Sequence, residues 1–357
     1  AWNEALGLPR PWDQQWSMRM QQIMAYETDL LEYEDLFDNN PAVEKKVDIL
    51  KDGARHELAN LDSMGGAIEA IEYMKSRLVD SNADRLNRIE TNETVVVGVN
   101  KFTTSEESPL TTGDKGIMIV DPAVENEQIE RLNTWRNERD AENVKIALND
   151  LNNAAKNGDN IMPASVTAAK AGVTTGEWAE IMRSVHGEYR GPTGLSKAKS
   201  NKTEGLDEIR SSVDLVSDKL GRRLKFLMGK PGLDGHSNGA EQIAFRARDC
   251  GMEIEYQGIR LTPEQLVDAV LETRPHVIGL SILSGSHIPL VKETLERLSK
   301  ANLSHIPLVV GGIIPEEDAT TLKTMGVSKV YTPKDFELNS IMIDIVELAD
   351  PHKVAAE

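Results

Sequence analysis

The sequence predicts an α/β protein whose C-terminal part is a doubly wound, five-stranded parallel sheet. Five short apolar runs alternate there with amphipathic segments, and this alternation is typical of parallel sheets covered by helices. The runs occupy residues 223–228, 252–256, 276–282, 306–311 and 328–331. Loops rich in glycine and polar residues follow the first, third and fourth runs, at the sheet edge where doubly wound proteins bind ligands.

The chain before this sheet is predicted to be mostly helical. Apolar residues recur at helical spacing in segments 13–27, 43–61 and 67–78, the last two separated by Gly65-Gly66. Residues 94–99 form a β-branched run, which predicts a buried strand.

The middle of the chain is predicted to be a helical connector. After a polar loop at 103–116, one charged helix is expected over 126–155, and Thr174 begins a capping box for a helix that ends at Gly187. Residues 191–205 lack periodicity and are typical of a linker, and a helix at 206–220 leads into the sheet. We therefore expect three parts: 1–102, 103–220 and 221–357.

Composition excludes several classes of protein. The 357 residues are 39% hydrophobic and carry a formal charge of −18, which disfavours binding to nucleic acid or to an anionic membrane. No apolar run approaches the length that spans a bilayer. The single cysteine, Cys250, is predicted to be a core residue, and a cytoplasmic location is the default expectation.

The loop after the first strand carries the most suggestive chemistry. Asp234 lies two residues before His236, an arrangement in which a carboxylate orients an imidazole toward a metal. Neither a dinucleotide fingerprint nor a phosphate loop follows this strand, and Ser281 stands where a receiver domain has its aspartate. One imidazole is too few ligands for zinc, but it suffices for a metal already coordinated by a cofactor.

Three elements together resemble the signature of the cobalamin-binding domain of mutases and methionine synthases. Asp-x-His-x-x-Gly is followed after 41 residues (240–280) by Ser-x-Leu, and after 27 more (284–310) by Gly-Gly. The matching residues are Asp234, His236, Gly239, Ser281, Leu283, Gly311 and Gly312. The resemblance implies a flavodoxin-like domain that binds adenosylcobalamin.

The same resemblance implies a role for each of these residues. His236 would displace the cofactor's dimethylbenzimidazole and ligate cobalt from the lower face, Asp234 would hold its other ring nitrogen, and Lys230 would pair with Asp234. The displaced nucleotide tail would need small residues at Gly239, Ser281, Gly311 and Gly312. Ser281 would hydrogen-bond the buried base, with Thr332 nearby.

The resemblance extends to the N-terminal half. Residues 1–9 look like the end of the catalytic barrel of adenosylcobalamin-dependent acyl-CoA mutases, and residues 21–28, 65–71 and 97–102 match the segment after it. Within this family, residues 1–4, 12–16 and 230–239 are more similar to ethylmalonyl-CoA mutases than to methylmalonyl-CoA mutases. Glu4 matches a glutamate near the adenosyl ribose, although a helix-start carboxylate explains it equally well.

The family implies a radical carbon-skeleton rearrangement of an acyl-CoA in a homodimeric enzyme. The expected substrate is ethylmalonyl-CoA, giving methylsuccinyl-CoA, or methylmalonyl-CoA. Most of the substrate-binding barrel would lie before residue 1, so the chain alone is expected to be inactive.

Two other functions remain open at this point. A corrinoid carrier or methyltransferase subunit would use the same His236 arrangement, and a structural flavodoxin-like domain would bind no cobalamin. Taken alone, Asp234 and His236 are more typical of a solvated turn than of a metal site. A solvated loop lysine is the alternative interpretation of Lys230. His276, His287 and His305 lack a carboxylate at short spacing and are interpreted as surface or core histidines.

Overall fold

The computed structural model describes residues 8–35, 37–104, 121–189, 192, 205–283, 285–332, 335 and 337–351. Within these residues the chain divides into two compact units, one made of residues 119–190 and the other of the chain before and after it. The predicted segment 103–116 and linker 191–205 lie largely outside the described residues. The division into 1–102, 103–220 and 221–357 therefore stays a prediction.

The larger unit begins with three helices and continues into the sheet domain. The first helices are α1 (Pro11–Tyr26), α2 (Pro41–Ser63) and α3 (Ile71–Glu90), with a short 3₁₀ turn at Leu30–Glu32. Pro11 and Pro41 occupy first helical positions, where the missing N–H costs nothing. α1 and α2 lie where apolar periodicity predicts them, but α3 begins four residues after the predicted start at 67 and continues twelve residues beyond the predicted end at 78.

The sheet domain alternates strands and helices throughout. Its elements are α8 (Leu206–Leu220), β1 (Lys225–Pro231), α9 (Asn238–Asp249), β2 (Glu253–Leu261), α10 (Pro263–Thr273), β3 (Val277–Ser281), α11 (His287–Lys300), β4 (Leu308–Gly311), α12 (Glu316–Thr324), β5 (Lys329–Tyr331) and α13 (Leu338–Ala349). The strand order is β2-β1-β3-β4-β5, and every neighbouring pair is parallel. The predicted doubly wound, five-stranded sheet is confirmed.

Alternate residues of each strand enter cores on opposite faces of the sheet, as the pleat requires. Phe226 and Met228 of β1 belong to the core beneath α8, α9 and α13. Leu227, between them, belongs to the core beneath α10, α11 and α12. Because both faces of the central strands β1, β3 and β4 are covered, these strands are rich in consecutive apolar residues, which is why the sequence identifies them.

Helix α3 packs against α9 of the sheet domain. Val79 and Ala83 of α3 form a small buried cluster with Ala244 and Phe245 of α9. The buried Arg246 adds an ion pair to Glu90, with Nη2 and Oε2 3.2 Å apart. Helix α9, which begins two residues after the predicted metal ligand, is thus supported from the N-terminal half of the chain.

The unit of residues 119–190 is a cluster of four helices: α4 (Pro122–Glu138), α5 (Ala141–Asn157), α6 (Ile161–Ala171) and α7 (Thr175–His186). The expected single helix over 126–155 is wrong, because Asp140 accepts hydrogen bonds from Glu142 and Asn143 and starts a new helix there. The predicted capping box at Thr174 and helix end at Gly187 are confirmed.

The strand predicted at 94–99 is also wrong. The Asn100 side chain accepts from the Val96 N–H (2.8 Å) and donates to the carbonyls of Ile89 (2.8 Å) and Thr94 (2.9 Å). These bonds hold the backbone in a turn, and Val97 is 72% exposed. A β-branched run marks a strand only when another strand pairs with it, and here one side chain satisfies the backbone groups instead.

None of the helices in the described ranges is both long and apolar enough to cross a membrane.

Candidate functional site

The candidate site lies where the strand order reverses. β1 has β2 on one side and β3 on the other, so a crevice opens at the carboxyl ends of β1 and β3. The loop between β1 and α9 carries Asp234 and His236 at this edge. Gly232 has a φ of 90°, and its N–H donates to the Leu261 carbonyl (2.9 Å), so glycine permits the sharp exit from β1.

Lys230, Asp234 and His236 form a hydrogen-bonded chain from the interior to the surface. Lys230 Nζ donates to Asp234 Oδ2 (2.5 Å) and to the Ser281 carbonyl (3.3 Å). Asp234 Oδ1 accepts from the His236 N–H (3.0 Å) and lies 2.6 Å from its Nδ1. The side chains of Lys230, Asp234 and His236 are 0%, 12% and 77% exposed. Because the carboxylate engages Nδ1, Nε2 is the ring nitrogen available to a metal.

The electrostatics of Asp234 keep it an acceptor. Burial alone raises the pKa of this carboxyl, but hydrogen bonds from Lys230 and from the backbone and ring of His236 outweigh burial and hold its pKa well below the usual range. Asp234 is therefore ionised at neutral pH, and as an acceptor it fixes the orientation of the imidazole beside it.

Small residues surround the crevice beside this loop. A Cβ added at Gly239 would lie 3.9 Å from Ser281 Oγ, so the start of α9 is close to the end of β3. Ser281 pairs with Gly311 across β3 and β4. At Gly312 a Cβ would lie 1.9 Å from the Ile282 carbonyl oxygen, which no side chain can tolerate without a backbone shift. The three predicted loops therefore meet at one sheet edge.

Leu283 and Thr332 complete the set predicted at this edge. Leu283 is half-buried in the loop after β3. Thr332 directly follows β5, where its N–H (2.7 Å) and Oγ1 (3.1 Å) donate to Asp335 Oδ2. Glu4 lies outside the described residues.

These residues fit a cobalamin better than a bare metal ion. The described part of the chain holds no group of three or more His, Cys, Asp or Glu residues that could bind a metal. The site instead offers one exposed imidazole backed by a carboxylate, next to Gly239 and Gly311, which project no side chain at this edge of the sheet. Such a donor set suits a metal that arrives with its other ligands.

The three other histidines that flank the strands have structural explanations. His276 Nδ1 accepts from the Lys225 N–H (2.8 Å), and burial, with the nearby Arg222 and Lys225, lowers its pKa to about 4. His287 is 2% exposed and lies 2.8 Å from Asp318, while His305 is exposed. Cys250 is fully buried, as predicted, and burial raises its thiol pKa to about 11.

Sequence reasoning missed a contact from α3 to the site. Lys75 Nζ donates to Glu241 Oε1 (2.5 Å) and to Ser237 Oγ (3.4 Å), and Ser237 directly follows His236. Lys75 and Glu241 are 166 positions apart, so no local motif contains both. The available signal was Glu241 itself, because a carboxylate on the buried face of a helix needs a cation.

Comparison with known proteins now adds to this geometry. Residues 1–188 match the family model of methylmalonyl-CoA mutase, and residues 224–334 match that of the B12 binding domain. The chain belongs to the methylmalonyl-CoA mutase family. The predicted family, the cobalamin-binding domain and cobalamin as its cofactor are confirmed, and a mutase model over the first 188 residues disfavours the corrinoid carrier alternative.

Individual mutases align with nearly the whole chain. The ethylmalonyl-CoA mutase of Cereibacter sphaeroides is 66% identical over 357 residues, covering 100% of this chain and 55% of that protein. That of Methylorubrum extorquens is 53% identical, covering 98% and 51%. The methylmalonyl-CoA mutase of Escherichia coli is 31% identical, covering 99% and 50%. The expected similarity to ethylmalonyl-CoA mutases is confirmed, and the chain spans about half the length of these relatives.

Proposed function

We propose that this chain is the cofactor-binding portion of an adenosylcobalamin-dependent acyl-CoA mutase. The observation that carries the proposal is the buried Lys230–Asp234 pair holding an imidazole that is 77% exposed at the carboxyl edge of the sheet. Metal-ligating histidines usually donate their other ring N–H to a carboxylate or a carbonyl, and a binding site needs such support to hold its ligand in place.

Each residue of the site has a proposed part in holding cobalamin. His236 ligates cobalt through Nε2, Asp234 fixes the ring tautomer through Nδ1, and Lys230 keeps Asp234 ionised and in place. The nucleotide tail occupies the crevice beside Gly239 and Ser281, while Leu283, Gly311, Gly312 and Thr332 form its other border. Glu4 contacts the adenosyl group.

The proposed reaction is the interconversion of ethylmalonyl-CoA and methylsuccinyl-CoA, with methylmalonyl-CoA as the alternative substrate. Similarity to two ethylmalonyl-CoA mutases at 66% and 53% supports the first choice. Adenosylcobalamin supplies the radical that such a rearrangement needs, while the protein binds, orients and excludes water. We place the acyl-CoA site in the part of the mutase that this chain does not span, within a cytoplasmic homodimer.

Isotope labelling tests the proposed ligand directly. The axial nitrogen of cob(II)alamin splits its electron paramagnetic resonance lines, as triplets for nitrogen-14 and doublets for nitrogen-15. With uniformly nitrogen-15-labelled protein and unlabelled cofactor, we expect doublets, because the ligand belongs to His236 and not to the cofactor's base. His236→Ala should lose the doublets, and His305→Ala, which changes an exposed histidine of the same domain, should keep them.

Two outcomes contradict different parts of the proposal. Triplets with labelled protein would show that the cofactor keeps its own base, so the ligand assignment would be wrong. Failure of the wild-type chain to change the absorption spectrum of hydroxocobalamin would reject corrinoid binding. Turnover of neither acyl-CoA, by the chain joined to the upstream barrel that the family resemblance implies, would reject the mutase activity.

A further inference from the structure

Gln242 buries its side-chain amide nitrogen without a hydrogen-bond acceptor. The residue is 5% exposed, and its Nε2 makes no hydrogen bond. Buried side-chain donors in native proteins are nearly always paired, so an orphaned one points to a partner that is absent. Neither the Lys230–Asp234–His236 chain nor the packing of α9 accounts for this amide.

Gln242 lies on the face of α9 that begins at the crevice. Residues three or four apart share a helix face, so Gly239, Gln242 and Arg246 form one row along α9. At one end of the row, Gly239 faces Ser281 Oγ at the end of β3. At the other end, Arg246 donates to Asn339, at the start of α13. Gln242 therefore lies between the end of β3 and the start of α13.

Helix geometry also sets which way the side chain leans. Side chains of an α-helix tilt toward its N-terminus, so the Gln242 amide lies over the turn that contains Gly239. Glycine leaves this turn without a side chain, and the space in front of it is the crevice beside Ser281. The orphaned donor is closed to solvent in this structure and lies behind this turn, so a ligand in the crevice would reach it across Gly239, where no side chain intervenes.

We propose that Gln242 Nε2 donates a hydrogen bond to the nucleotide tail of cobalamin. The inference rests on the proposed function, since it needs the tail to lie in this crevice. Gln242 is then a recognition residue for the tail, separate from the His236 group that contacts cobalt. An amide donor matches the tail because its phosphate, ribose and released base all present acceptor atoms.

Cobinamide, a corrinoid without the nucleotide, separates tail recognition from cobalt ligation. In Gln242→Met, an unbranched apolar side chain replaces the amide. We expect the affinity of the 357-residue chain for hydroxocobalamin to fall about three- to tenfold, the effect of one hydrogen bond, while its affinity for diaquacobinamide stays unchanged. Gln242→Asn, which keeps a shorter amide, should weaken cobalamin less. Gln128→Met, at an exposed position of α4, is the matched control.

The melting temperature without corrinoid distinguishes recognition from a structural role. Because Gln242 Nε2 donates no hydrogen bond in the structure, Gln242→Met should melt no lower than wild type, but cobalamin should raise its melting temperature less. Unchanged cobalamin affinity, an equal loss for cobinamide, or a lower melting temperature without ligand would each overturn the inference. If the wild-type chain binds no cobalamin at all, the proposed function fails instead, so the two failures are distinguishable.

Discussion

Glu177 in the helical unit and Asp234 in the sheet domain are both carboxylates held by a cation, but their surroundings differ. Glu177 accepts from Arg139 at both oxygens (2.5 and 2.7 Å) and from the Thr174 N–H and hydroxyl (2.8 Å each). These bonds, led by that from Arg139, lower its pKa to about 2. Every partner lies within the same helical unit. Glu177 therefore caps the start of α7 and orients no exposed group.

Asp234 is also held by a cation, but it in turn orients an exposed side chain, the imidazole of His236. One of its oxygens faces the buried Lys230, and the other holds an imidazole that is 77% exposed. A lowered carboxyl pKa therefore records strong hydrogen bonding and does not by itself mark a functional site. The distinguishing feature is an exposed group whose orientation the carboxylate fixes.

The largest expected effect comes from removing the buried cation. Lys230→Met leaves Asp234 without the cation that compensates its burial, and we expect the free energy of unfolding to fall by about 3–5 kcal/mol. Urea denaturation measures it. Adding Asp234→Asn should recover part of the loss, because no unpaired charge then remains.

An exposed ion pair provides the control for this effect. Arg55 and Asp52 lie 3.2 Å apart with side chains 73% and 75% exposed, so Arg55→Met should change stability by about 0–0.5 kcal/mol. A loss below about 1 kcal/mol for Lys230→Met would show that burial does not couple this pair as we infer.

The matching change in the helical unit should affect stability alone. Glu177→Gln removes the charge that Arg139 and Thr174 bind, and we expect a loss of about 1.5–3 kcal/mol, seen as faster amide exchange in α7. Cobalamin affinity should not change. Glu180→Gln, whose side chain is 74% exposed beside Arg183, should leave exchange unaltered. Weaker cobalamin binding by Glu177→Gln would break the comparison, because it would make Glu177 part of the site.

Lowering the pH should weaken the Glu177–Arg139 pair, with a smaller loss of unfolding free energy than Glu177→Gln causes. The folded pKa of Glu177 is about 2, against an ordinary 4.5, so its stabilisation is present above pH 4.5 and is lost as pH falls toward 2. Lowering the pH from 5 to 3.5 should cost about 1 kcal/mol through this group. When the free energy of unfolding is measured against pH for wild type and for Glu177→Gln, it should fall less steeply with acid in the variant. Parallel curves would contradict the assignment.

The sequence predicts the sheet well because the central strands are buried on both faces and therefore contain consecutive apolar residues, as in residues 225–231. It predicts His236 and Asp234 because they are neighbours in one loop. It fails at residues 94–99, where the Asn100 side chain decides the backbone conformation, and at Asp140, where a cap divides a periodic segment. The sequence does not reveal the role of Lys75, because Lys75 contacts Glu241 far along the chain. It does not reveal Gln242 either, because the lack of an acceptor for Nε2 is visible only in the folded structure.

The smallest expected effect is on the stability of His236→Ala. Because the imidazole is 77% exposed, its loss should change the free energy of unfolding by no more than about 0.5 kcal/mol, although the variant loses the proposed cobalt ligand. Urea denaturation without cofactor measures this. A loss above about 1 kcal/mol would mean that the imidazole stabilises Asp234 much as Thr174 stabilises Glu177. The two carboxylates would then be alike, and the buried support of His236 would no longer indicate a ligand.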